Sequence, residues 1–294
     1  MKHIITMLTL MMTAATGFAQ LRVVATIPNM GMLAREIGGS EVTVRVMAPP
    51  DRDAHYLEAR PSMMAALRRA DIVVAVGAEL EIGWLPAAIQ GANNRRIQSG
   101  QPGNFEAARH VELLWDDKPA NRALGDVHPM GNPHIYLDPQ RMATAGHALA
   151  TRLAQLNADK ADYFKANATA FEQKIAEQVP QWQKRAKGAP GVIPYHSDPD
   201  YLLNLLNVPI LGHIEPLPGI PPTAAHLRSL VRKYTGQNGM FWTMNFQPGA
   251  PAEHLARELS WNAVQLPSQV PIDGTIEDYI KMIDAWVDSL KDTK

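Results

Sequence analysis

The chain predicts an α/β fold of two doubly wound α/β lobes joined by one long helix. Three observations carry this. Short β-branched runs alternate with helically spaced apolar residues from residue 21 to about 77. The same rhythm returns after residue 191. Between them lies one apolar stripe, Phe164, Ala168, Phe171, Ile175, Val179 and Trp182, spaced every three or four residues. Strands that alternate with helices in sequence assemble as parallel sheets covered by helices.

The elements follow in order. Leu21 to Ile27 is a β-branched run stopped by Pro28, and Met32, Leu33 and Ile37 recur at helical spacing before Gly38-Gly39. Val42 to Val46 is a second strand, ended by Pro49-Pro50. Pro61 suits the first turn of a helix through Met63, Met64 and Leu67, because its missing N–H is not needed there. Ile72 to Val76 is a third strand. Asp138-Pro139 reads as an N-cap and first helical residue, opening a helix to about Leu156. The striped helix spans Lys160 to Lys187, with Pro180 expected to kink or restart it. In the second half Val192-Ile193-Pro194, Val208 to Ile214, Met240-Phe241-Trp242 and Ala263-Val264 read as strands. Ala224 to Tyr234, Ala252 to Leu259 and Ile276 to Leu290 read as helices. The expected division is residues 1–19, a lobe over 20–137, a helical linker over 138–188 and a lobe over 189–294.

The first nineteen residues set the compartment. Lys2 and His3 precede an apolar run from Ile4 to Thr13, and Gly17-Phe18-Ala19 places small residues where a signal peptidase reads. The apolar core is roughly ten residues, against about twenty needed to cross a bilayer. Cleavage after Ala19 is therefore expected, with the mature protein exported. The chain has no cysteine, which excludes disulfides, thiolate metal ligands and a lipid-bearing cysteine. Loss of Lys2 leaves 27 basic against 29 acidic side chains, a net charge of −2. That argues against a nucleic-acid partner, which needs a basic face.

Of ten histidines, three share a setting. His55, His134 and His196 each follow a strand or open a loop beside turn residues, whereas His147, His226 and His254 sit in helical stretches. Ligands of open α/β sheets bind at the carboxyl ends of strands. Three imidazoles converging there suit zinc, which favours nitrogen donors in a tetrahedral shell. A loop histidine is nevertheless more often solvated than a ligand, so spacing alone leaves convergence open.

Larger motifs sharpen the reading. Asp53-Ala54-His55-Tyr56-Leu57-Glu58-Ala59-Arg60-Pro61-Ser62, Ala70 to Glu81, Asn132-Pro133-His134-Ile135-Tyr136-Leu137-Asp138-Pro139, Pro194-Tyr195-His196-Ser197 and Ile214 to Ile220 occur in that order. Together they resemble the periplasmic solute-binding proteins that serve ABC importers of zinc and manganese. The resemblance covers nearly the whole mature chain. It implies a metal cleft between the lobes, with His55 and His134 from the first and His196 from the second. It also implies a membrane permease as partner. Histidine at the third position implies Zn²⁺ over Mn²⁺, since imidazole suits zinc and carboxylate-rich shells suit manganese.

The chain departs from the family pattern at one point. The usual late Leu-Asp-Pro ligand is replaced by Val264-Gln265-Leu266-Pro267-Ser268, so the fourth position is open to water or another carboxylate. Glu58 is the first candidate, ahead of Asp53 and Asp273. His128 is a further candidate, as a ligand or as a residue passing metal inward. The histidine-rich loop of many relatives is largely missing, since His128 is the only histidine in the stretch 115–130. Glu58, Asp138 and Asp198 are candidates to hold the ligating imidazoles.

The expected function is non-catalytic capture of zinc and delivery to the importer. The alternative is a zinc hydrolase using three histidines and a bound water. No His-Glu-x-x-His helix and no nucleophile motif supports it. No heptad or repeat implies an oligomer, so a monomer is expected. A metallochaperone donor is compatible with the resemblance.

Overall fold

The computed structural model describes residues 20–114 and 128–291. The signal-peptide reading therefore lies outside the described residues, as does most of the stretch 115–130. The first sheet has the order β2-β1-β3-β4, all parallel: β1 (Leu21–Ala25), β2 (Val42–Val46), β3 (Ile72–Ala75) and β4 (Asn104–Glu106). The second has the order β5-β6-β7, also parallel: β5 (Gly191–Pro194), β6 (Gly239–Met244) and β7 (Asn262–Leu266). The central strands β3 and β6 are almost wholly buried, as strands covered by helices on both faces must be.

Helices connect the strands. In the first half these are α1 (Pro28–Gly38), α2 (Pro61–Arg69) and α3 (Leu85–Ala92), each with proline in its first turn. The antiparallel pair α4 (Pro139–Leu156) and α5 (Ala161–Ala186) follows. Asp138 caps α4 by accepting from the N–H groups of Gln140 (2.8 Å) and Arg141 (3.1 Å). In the second half come α6 (Asp200–Leu205), α7 (Ala224–Tyr234), α8 (Ala250–Leu259) and α9 (Ile276–Ser289). Thr275 and Asp278 form a reciprocal capping box at the start of α9. Among the described residues no helix is long and apolar enough to cross a membrane.

Two expectations change. The helix α5 continues through Pro180 without restarting, for 26 residues, about 39 Å. Its buried stripe continues on either side of the proline, with Ile175, Val179 and Trp182 packed in the core, while Pro180 itself faces out. Packing of that stripe outweighs the one helical hydrogen bond that proline removes. The segment 208–214 is not a full strand: only Ile210 bridges β5, opposite Val192. Pro209 has no N–H to donate and Gly212 has a φ of 156°, so the regular ladder is lost. Single bonds such as Ile214 N to Pro194 O (2.9 Å) still hold it beside β5.

One apolar core is shared between the two sheets, and each sheet also packs a smaller cluster of its own. The shared core runs from Val23 and Ile72 through Leu149, Phe164 and Trp182 to Trp242 and Trp286. The chain end ties the halves further, because α9 packs against both α1 and α5. Asn29, fully buried at the start of α1, donates to Ser268 O (3.0 Å) and Gln269 Oε1 (3.1 Å) and accepts from Val270 N (2.9 Å). Tyr279 Oη donates to Tyr136 O at 3.0 Å.

Candidate metal centre

Three histidines meet where the two sheets face each other. The first two are placed by a short-range device written in their own segments, and the third by a carboxylate 19 residues further on. His55 lies in a single 3₁₀ turn (Ala54–Tyr56) after β2, where Asp53 Oδ1 accepts from its N–H (2.9 Å) and lies 2.7 Å from its Nδ1. His134 begins the 3₁₀ turn ahead of α4, and Asn132 Oδ1 makes the same two contacts, 2.9 Å to N and 2.7 Å to Nδ1. His196 follows β5, with its Nδ1 2.9 Å from Glu215 Oε2, which also accepts from Gly219 N. Asn132 Nδ2 donates to Ser197 O (2.8 Å), locking the second histidine's loop to the third's.

Carboxylates and an amide oxygen accept, so each Nδ1 carries a proton, and in the neutral ring each Nε2 presents a lone pair. Nε2 of His134 and Nε2 of His196 are buried without a hydrogen-bond partner. The ring centroids of His134 and His196 are 5.1 Å apart, with His55 5.2 Å from the first and 6.2 Å from the second. His128 joins from the edge, its Nε2 3.0 Å from that of His55.

A buried carboxylate completes the group. Asp198 Oδ1 lies 3.3 Å from His134 Nε2. His134, His196 and Asp198 each present a ligand atom within 4.8 Å of the others. Among the described residues this is the compact metal-binding group, so the three-histidine hydrolase arrangement is replaced by two histidines and an aspartate. Glu58 is exposed on the extended segment after His55 and Asp273 is exposed in the loop before α9, and neither belongs to the group. The stretch at Leu266-Pro267 is instead committed to the fold, with Trp286 Nε1 donating to Pro267 O.

The electrostatics are uneven. Burial, reinforced by His196, His55 and His128, pushes His134 well below the ordinary histidine range and keeps it neutral. Burial also opposes charge on His196, but Asp198 and the bond to Glu215 prevail and raise it to about 9. Burial raises Asp198, against the opposing pull of His196. At His55 burial again opposes charge, and Asp53 overcomes it, raising the imidazole above its usual value.

Sequence reasoning underused two residues. Asp198 was legible only as a neighbour of His196, and Glu215 lay inside a quoted motif with no role attached. The spacing His196-Ser197-Asp198 was the available signal. His213, which has no evident partner in sequence, pairs with Asp200 at 3.0 Å, and His110 stacks on Phe105.

Two parallel α/β sheets with a buried histidine–carboxylate cluster at their facing edges define a two-lobed, metal-binding solute carrier. The comparisons with known proteins agree. The family model described as zinc-uptake complex component A, periplasmic (ZnuA), matches residues 23–293. The chain belongs to this family. A relative, the high-affinity zinc uptake system protein ZnuA of Yersinia pestis, is 27% identical over 229 residues, 73% of this chain and 72% of that one. The manganese ABC transporter substrate-binding lipoprotein PsaA of Streptococcus pneumoniae is 21% identical over 161 residues, 54% of this chain and about half (49%) of its own length. A crystal structure of ZnuA superposes with a TM-score of 0.76 at 22% identity, over 93% of this chain and 99% of that one. The Pseudomonas aeruginosa solute-binding protein FpvC in complex with Mn²⁺ gives 0.77 at 22% identity, over 92% and 98%. The likeness to both structures shows the same bilobed fold. As a member of the zinc-uptake family, the chain is a periplasmic, non-catalytic carrier of zinc. It serves an ABC-type importer, whose membrane permease is the implied partner.

Proposed function

We propose that His55, His134 and His196 capture Zn²⁺ through Nε2, with Asp198 as the fourth donor. The observation that carries this is the matched set of Nδ1 contacts to Asp53, Asn132 and Glu215, which leaves three Nε2 atoms as the ligating set. Three imidazoles and one carboxylate oxygen suit a tetrahedral zinc shell. Asp198 supplies the carboxylate that Leu266-Pro267 lacks. His55 Nε2 lies 3.0 Å from His128 Nε2 and gives up that contact when it takes the ion.

The division into lobes over 20–137 and 189–294, bridged by 138–188, fits a carrier whose shared core permits only limited lobe adjustment. The mature protein begins at Gln20 and acts as a monomer, and its cleft admits zinc as the free ion or from a metallochaperone. Export with cleavage after Ala19 predicts an intact mass starting at Gln20; a periplasmic product retaining residues 1–19 rules this out.

The test of capture is a competition titration of chelator-stripped protein with Zn²⁺ and Mn²⁺ against a chromophoric chelator. One tight equivalent of zinc, poorly matched by manganese, is the expected result. A manganese preference removes the zinc assignment from this site. Protons compete for the same nitrogens, so affinity falls with pH. At pH 5, below the ordinary imidazole pKa of about 6.5, zinc binding should weaken at least about a hundredfold relative to pH 7.5. Undiminished affinity at pH 5 is incompatible with three histidine donors.

A further inference from the structure

The loop after β6 reaches the carboxylate of the metal group. Gln247 Nε2 donates to Asp198 Oδ2 at 3.0 Å. Its other end is held too: Gln247 Oε1 accepts from Met244 N at 2.9 Å, and Gln247 N donates to Met244 O at 3.0 Å. A backbone N–H can only donate, so the amide oxygen must face Met244 and the NH₂ must face Asp198. The turn is anchored in turn, since Met244 pairs with Leu266 in the sheet and Asn245 N donates to Leu266 O at 3.0 Å.

We infer that Gln247 sets the metal preference of this protein by reserving one oxygen of Asp198. This rests on the ligand reading above. With Oδ2 engaged by the amide, Asp198 offers the histidines' ion only Oδ1, the oxygen facing His134 Nε2. Three imidazole nitrogens and one carboxylate oxygen make four donors, the number zinc takes in a closed site. Manganese favours six oxygen-rich positions and gains from a carboxylate free to bind through both oxygens. Gln247 is thus a positioning residue that keeps the donor count low. On this reading the carboxylate comes from the loop after β5 rather than from the end of β7, its usual family place, and Gln247 comes from the loop after β6, the strand between them.

Zinc and manganese competition titrations, Co²⁺ absorption spectra and thermal melts on the full mature chain test this. Three proteins are compared: the unaltered chain, Gln247→Met and Asp198→Asn. Gln247→Met keeps the length and loses the donor; Gln247→Leu substitutes for it if the first variant does not fold. The expected result is a zinc-to-manganese affinity ratio lowered about tenfold or more, within the range seen when an outer hydrogen-bond partner of a ligand is lost. The visible Co²⁺ bands should weaken as the coordination number rises above four. An unchanged ratio with an unchanged Co²⁺ spectrum overturns the inference, even if the melting temperature falls. Asp198→Asn that retains the unaltered zinc affinity and Co²⁺ spectrum overturns the ligand reading itself. If Asp198→Asn alters both while Gln247→Met alters neither, the ligand stands and the role of Gln247 does not.

Discussion

His134→Ala removes the tight zinc equivalent. His134 is the most enclosed of the three histidines, with no exposed surface, and its pKa is held low by burial and by its three imidazole neighbours. It needs no proton removed before zinc arrives, so of the proposed donors it is the one best prepared for the ion. Its ring is fixed by Asn132, whose amide also bonds to Ser197 beside His196. Complete zinc shells are worth about 10–16 kcal/mol, so one donor of four accounts for about 3 kcal/mol or more. Affinity should therefore fall at least about a hundredfold. The same competition titration checks it, and a dissociation constant within threefold of the unaltered protein removes His134 from the ligand set. The metal-free variant should still fold, since the alanine leaves no polar group unpaired except Asn132 Oδ1, which keeps the backbone N–H of residue 134.

Trp84→Ala should cost the metal-free protein about 3–5 kcal/mol, the range for deleting a large buried aromatic side chain. Trp84 has no exposed surface and sits with Val24, Leu67, Val73 and Ala88 in a second apolar cluster. Its Nε1–H donates to Ala54 O at 2.8 Å, one residue before His55. Losing that donor strands a buried carbonyl, at about 1–3 kcal/mol if no water replaces it. The turn that delivers Trp84 is itself strained. Gly77, Ala78 and Glu79 have successive φ values of 83°, 48° and 71°, a left-handed run that only glycine adopts freely. Glu81 holds it in place, its carboxylate accepting from Thr26 Oγ1 (2.7 Å), Val76 N (2.8 Å) and Gly77 N (3.1 Å). Equilibrium denaturant unfolding measures the cost, and a loss below about 1 kcal/mol would show that the cluster closes over the gap. Zinc affinity should fall too, because the His55 turn hangs from this bond.

The alternation of strands and helices was readable because it depends on side-chain period and on proline and glycine punctuation, both local properties. Leu21–Ala25, Val42–Val46, Ile72–Ala75 and Ala161–Ala186 stand where their apolar patterns put them. The short strand Asn104–Glu106 and the helix Leu85–Ala92 were not read, because the first is three residues of mixed polarity and the second follows a turn with no familiar signal. Pro180 does not restart the helix, because one missing hydrogen bond is outweighed by a stripe packed against α4 and α9. The strand expected over 208–214 failed for the opposite reason: its apolar content is right, but Pro209 and Gly212 deny it the ladder.

The sequence by itself determined the α/β class, the three histidines and, through their motifs, the family. Those features are carried by residue type and order along the chain. Only the tertiary structure decided which carboxylate faces the histidines. Glu58 is three residues from His55 yet exposed, while Asp198 is buried against His134, 64 positions earlier in the chain. It also decided that the two sheets share one core, and that Asp53, Asn132 and Glu215 each take one Nδ1. A coordination shell is a statement about directions in space among residues far apart in sequence. Those directions are fixed by the packing of β5 and β6 and the loops that follow them, which no local pattern encodes.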